Sequence, residues 1–204
     1  MKRTARELQK EQTKALLLKT AYNVFSEKGI MNTRVSDIAQ AAGVSHGTIF
    51  VHFRSQEAMI EEVVAAYGQK IALRTHTLAQ SCGHLSELLR AHLHGIMEFE
   101  PFYTRLVIEN RLLPTGAKDS IITIQSAISF HFSQAVQRER ERKSAQNDGV
   151  PSYLLFNMWM GLVHYYLANG DLFAPEGHVI RRYGETLIES FIKLLMVKEE
   201  KQNE

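Results

Sequence analysis

The chain has 204 residues, 45% of them hydrophobic and 23% charged, and a formal net charge of +2. That length and composition suit one large globular domain or two small ones with a substantial core. The single cysteine, Cys82, excludes an internal disulfide framework and fits a reducing cytosol. The charged stretch Met1–Gln12 has no apolar core behind it and so no signal peptide is expected, and no apolar run reaches the roughly 18 residues of a membrane span. A cytoplasmic protein without a membrane partner is the expectation.

Charge is unevenly spread. Residues 1–54 hold nine Lys/Arg against four Asp/Glu, while residues 55–204 hold fifteen against eighteen. A basic first quarter suits contact with an anion such as DNA phosphate, although chance scatter produces the same imbalance. Only four prolines and twelve glycines interrupt stretches rich in good helix formers, and no alternating β-branched run is present. An all-α chain of about nine helices is expected.

The first helix spans about Leu8–Lys28, with Leu17, Leu18, Ala21, Tyr22 and Phe25 on its buried stripe, and stops at Gly29. The next segment is the most informative. Ile38, Ala39 and Ala42 mark a short helix, and Gly43 follows where a helix ends in a left-handed residue. Ser45 stands at the N-cap of another short helix, whose apolar stripe is Ile49 and Phe53. His46, Gly47, Thr48 and His52 occupy its other face. This is the layout of a helix-turn-helix, over about residues 34–53, whose second helix enters a major groove.

A fourth helix begins at Ser55, a suitable N-cap, with Glu57 near its positive end and Met59, Val63, Tyr67 and Ile71 on its stripe. A fifth is expected near Ser86–Glu98. A sixth has Pro101 in its first turn and ends before Pro114. The seventh covers about Ala117–Lys143, and its end, Arg138 to Lys143, reads as a solvated run of mixed charge. After the loop Asn147–Pro151, an eighth helix covers about Ser152–Ala168 and a ninth about Glu176–Val197. These last two are so apolar that a homodimer interface through Leu155, Leu162, Tyr166, Tyr183, Leu187, Phe191 and Leu195 is expected; a purely internal core is the alternative.

The helix ending at Gly29, Thr33, Val35, Asp37-Ile38-Ala39, Ala41 to Ser45, Gly47-Thr48-Ile49, Phe53, Ser55 and Glu57 together resemble the TetR family of bacterial transcriptional regulators, over about residues 10–65. The resemblance implies a DNA-binding head, 1–54, and a ligand-binding and dimerisation body, 55–204. It implies a homodimer on a palindromic double-stranded operator, most simply a repressor, released by a small-molecule effector. Thr33 and Arg34 would lie near phosphates; His46, Gly47 and Thr48 would face the groove, and Ser45, before them, is counted with the DNA-binding residues. Phe50, His52, Arg54 and Ser55 would lie near the backbone of the same half-site. His46 and Thr48 are the expected base readers. Lys2, Arg3 and Arg6 are placed to reach phosphate, with a solvated tail as the alternative. Three departures stand out. Arg34 replaces a small hydroxyl residue that would cap the second helix, so the cap is expected to shift to Thr33; Phe50 replaces a Tyr; Val51 replaces an aromatic residue.

In the body, Phe99, Phe102, Tyr103, His131, Phe156, Trp159, His164 and Tyr165 are candidates for an aromatic pocket with a few polar groups, with ordinary core as the alternative. His92 and His94, two apart on one helix, point too far apart to share an ion, and no metal or other cofactor is expected. No phosphate loop or nucleophile motif is present, so no enzyme is expected. A DNA-bound adaptor whose body binds protein, or an all-helical enzyme, are the competing functions.

Overall fold

A computed structural model describes residues 4–142 and 150–196. Among them there are ten helices and no strand: α1 (Ala5–Lys28), α2 (Val35–Ala42), α3 (His46–His52), α4 (Gln56–Ala79), α5 (Leu85–Met97), α6 (Glu100–Glu109), α7 (Thr115–Arg142), α8 (Ser152–Ala168), α9 (Gly170–Phe173) and α10 (Val179–Met196). Lys2, Arg3, Lys143, Asn147 to Gly149 and Val197 lie outside the described residues.

Two boundaries differ from expectation for local reasons. The first helix starts at Ala5 because Thr4 and Glu7 form a capping box: Glu7 N donates to Thr4 Oγ1 at 3.3 Å and Thr4 N to Glu7 Oε2 at 2.8 Å. The last helix starts at Val179 because Gly177 (φ 87°) and His178 (φ 64°) are both left-handed and interrupt helical dihedrals. The four-residue α9 before that break makes the tenth helix.

The chain forms two compact units. The first comprises residues 1–72 and 99–125, and the second residues 73–98 and 126–204. α4 and α7 contribute residues to both. The core of the first unit includes Leu17, Ala21, Phe25, Ile30, Ile38, Ile49, Phe53, Met59 and Val63. That of the second includes Leu88, Leu93, Ile96, Phe132, Trp159, Val163 and Ile188. The end of α7 is more engaged than a solvated run: Arg138 donates to the Cys82 carbonyl (3.3 Å), and Glu139 Oε1 accepts from Leu85 N (3.3 Å). No helix among the described residues is long and apolar enough to cross a membrane.

Candidate nucleic-acid interface

The turn between α2 and α3 follows from two residues. Gly43 is left-handed (φ 66°, ψ 32°), and Val44 N donates back to Ala39 O at 3.0 Å, closing the C-terminus of α2. Ser45 is extended, and its Oγ accepts from Thr48 N at 3.2 Å. Ile49 and Phe53 are buried as expected and anchor α3.

The exposed face of α3 is not quite the one expected. His46, Gly47, Phe50 and Val51 face solvent, with Phe50 46% and Val51 67% exposed. Thr48 and His52 are only half exposed. The Thr48 hydroxyl pairs with Ser45 Oγ at 2.9 Å. His52 Nδ1 is buried without a hydrogen-bond partner, and burial, then Lys10 and Lys14, hold the ring below the ordinary histidine range. The offset has a geometric cause: at 100° per residue, positions 46, 50, 47 and 51 fall in that order along one continuous arc of about 140° that leaves out Ile49.

Around α3 the other expected contacts separate. Arg34 and Arg54 are exposed. Arg34 is the N-cap of α2, where a cation repels the positive helix end unless an anion arrives. Its guanidinium has no lone pair to accept a hydrogen bond; only the Asp37 half of a capping box is available, with Arg34 N donating to Asp37 Oδ2 at 2.8 Å. That bond, then Lys28, keeps the Asp37 carboxyl below the usual carboxylate range. Thr33 does not take over the cap. It is 1% exposed, and its hydroxyl donates to Gly29 O at 2.6 Å, so its side chain is turned inward. Gln56 Nε2 donates to the Thr33 carbonyl at 3.0 Å. Ser55 caps α4, accepting from Ala58 N at 3.1 Å.

A positioning residue escapes the sequence entirely. Glu109, buried at the end of α6, accepts from Ile30 N (3.1 Å) and Met31 N (2.6 Å) in the loop before α2. Arg105 on the same helix donates to the Glu27 carbonyl at 3.0 Å. Gly29, with φ 94°, permits the approach: a Cβ there would stand 2.8 Å from Glu109 Oε1. Gly29 is visible in the sequence as a helix stop, but nothing local signals its partner 80 positions away.

The family model for bacterial regulatory proteins of the tetR family matches residues 17–63, which contain α2, α3 and the start of α4. The HTH-type transcriptional repressor KstR2 of Mycobacterium tuberculosis is 30% identical over 169 residues, 78% of this chain and 84% of that protein. The chain belongs to the TetR family. A regulator from Bacillus subtilis, YvdT, is 31% identical over 117 residues, 57% of this chain; the chain spans about half of that protein's length, 53%. The fold is also that of the Bacillus subtilis transcriptional regulator FadR, solved in complex with stearoyl-CoA, with a TM-score of 0.67 over 87% of this chain and 97% of FadR at 16% identity.

The TetR-family body residues expected to line one pocket fall into several groups. Phe102 and Tyr103 are buried in the first unit, where Phe102 meets the stacked pair Tyr22–Tyr67, whose ring centroids are 3.8 Å apart. Phe99 is the half-buried N-cap of α6. Phe156 and Trp159 belong to the core of the second unit, packed on Phe132 and Phe191 respectively. There Trp159 Nε1 donates to His92 Nδ1 at 3.0 Å. Burial, with a smaller contribution from His164, pushes His92 down to about 3; burial alone pushes His164 to about 4. Both rings are therefore neutral, His92 within the core and His164 half-buried. His131 instead lies 2.9 Å from His76. Tyr165 is 57% exposed and packs on Phe173. None of the eight lines the cleft of about 540 Å³ in the first unit, which runs from Met31 and Gln56 to Leu112 and Thr115.

Of the expected dimer residues, Leu155, Leu187 and Phe191 are buried inside the chain's own second unit. Leu162, Tyr166, Tyr183 and Leu195 are half exposed. The apolar residues that α8 and α10 leave uncovered are Tyr153, Leu154, Met158, Tyr165 and Leu194. An α8 apolar on nearly every side carries no periodicity to say which side faces inward.

Proposed function

We propose that this chain is a sequence-specific DNA-binding transcriptional regulator: a homodimeric repressor that leaves a palindromic operator when a small molecule binds its body. The carrying observation is α3, a two-turn helix fixed from behind by Ile49 and Phe53, with Arg34 and Arg54 exposed nearby. A helix so held suits a major groove, and the arginines suit phosphate. Residues 1–54 form the head and 55–204 the body of this reading.

Effector release is supported by the repressor KstR2 and by FadR's bound stearoyl-CoA. The uncovered residues of α8 and α10 support pairing of two copies. A dimer must set its reading helices about 34 Å apart, so a ligand preferring another spacing lowers DNA affinity by linkage.

Footprinting on the DNA upstream of the chain's own coding sequence, at two salt concentrations, tests the reading. A short protected palindrome that survives moderate salt is expected. Uniform binding lost with salt would leave only non-specific attraction. A compound panel read by thermal stabilisation and by release of that footprint tests the effector. A body that no small molecule stabilises would instead favour the protein-binding adaptor.

A further inference from the structure

We infer that Phe50 and Val51 are specificity-determining residues that recognise thymine C5-methyl groups in the operator's major groove. The inference rests on the DNA-binding reading above and names the base chemistry it uses. The polar side chains of α3 other than His46 are partly engaged or partly covered. Gly47 has no side chain, the Thr48 hydroxyl is paired with Ser45 Oγ, and His52 Nδ1 is buried. Among the residues facing solvent along α3, His46 alone carries a polar side chain.

The rest of that face is apolar. Phe50 and Val51 are not needed inward, because Ile49 and Phe53 already fill the side packed on the head. Neither can hydrogen-bond to phosphate or to a base edge. The one apolar group that the four bases present in the major groove is the methyl of thymine. Both side chains are pre-set for such a contact. The Phe50 ring packs on His46 with centroids 5.2 Å apart and planes at 60°. A β-branched valine in a helix has one strongly preferred rotamer and loses little freedom on contact.

The test uses the full-length chain. Duplexes are selected from a randomised pool, and each thymine of the selected half-site is replaced in turn by deoxyuridine, which removes only the methyl. Binding is measured for the parent, Phe50→Ala and Val51→Ala. At one or more thymines the parent is expected to lose about fourfold in affinity, the worth of one buried methyl group. At those positions the loss should disappear in Val51→Ala or Phe50→Ala. Both side chains are exposed, so melting temperatures close to the parent are expected, and they separate lost recognition from lost folding. A uracil penalty unchanged in both variants, or no penalty at any thymine of a selected sequence, would overturn the inference. Failure to enrich any sequence would overturn the DNA-binding reading with it.

Discussion

The helix-turn-helix and the core around Trp159 are built from similar residues, yet they answer differently to a reading of the sequence. In the first, helices of seven or eight residues are separated by single punctuating positions, and each residue has a single role. Gly43 turns, Ser45 caps and Phe53 anchors. In the second, helices of 13 to 28 residues carry aromatics and histidines on several faces, and packing alone decides which become core. Short elements make local chemistry decisive; long apolar ones hand the decision to their neighbours.

The comparison breaks most readily at Phe53. Phe53→Ala is expected to destabilise the head by about 3–5 kcal/mol, read by chemical denaturation, because the ring is almost wholly buried. A near-unchanged stability would remove the anchor from the account of α3.

The body should respond to acid through His92. Its folded pKa, about 3, lies below the ordinary 6.5, so between those values the unfolded chain binds the extra proton. Stability is then full above about pH 6.5 and falls as pH drops, by about 1.4 kcal/mol per pH unit for this group. Denaturation midpoints at pH 7 and pH 5 should show the fall, and His92→Phe should reduce it. An unchanged pH dependence in that variant would assign the acid sensitivity elsewhere.

Glu109→Gln sharpens the role of a residue that serves the head from α6. The amide keeps one acceptor oxygen, so one of the backbone N–H groups of Ile30 and Met31 loses its partner, at a cost of about 1–3 kcal/mol. Operator binding should weaken to a similar extent on all base variants of a half-site, because α2 and α3 are displaced together. Loss confined to particular bases would argue against a positioning role.

The smallest effect is expected at Thr48. Its hydroxyl belongs to the cap pair with Ser45, so Thr48→Ala should change stability by about 1 kcal/mol or less and weaken binding with little change in base preference. A clear relaxation at one base position would restore it as a reader.

The sequence by itself determined the all-helical class, the helix-turn-helix and its punctuation, and the anchors Ile49 and Phe53. Each depends on interactions within about four residues, where glycine dihedrals, hydroxyl caps and apolar spacing are strong. Tertiary structure decided the rest. Thr33 turned inward because Gly29 O and Gln56 were there to meet it, and Phe50 and Val51 turned outward once the side of α3 packed on the head was full. Glu109 found its donors 78 and 79 positions away. His131 met His76 on α4, and Leu155, Leu187 and Phe191 were buried within their own unit. Contacts at such separations depend on how whole helices pack, and many arrangements share the same local pattern, so only the folded chain selects among them.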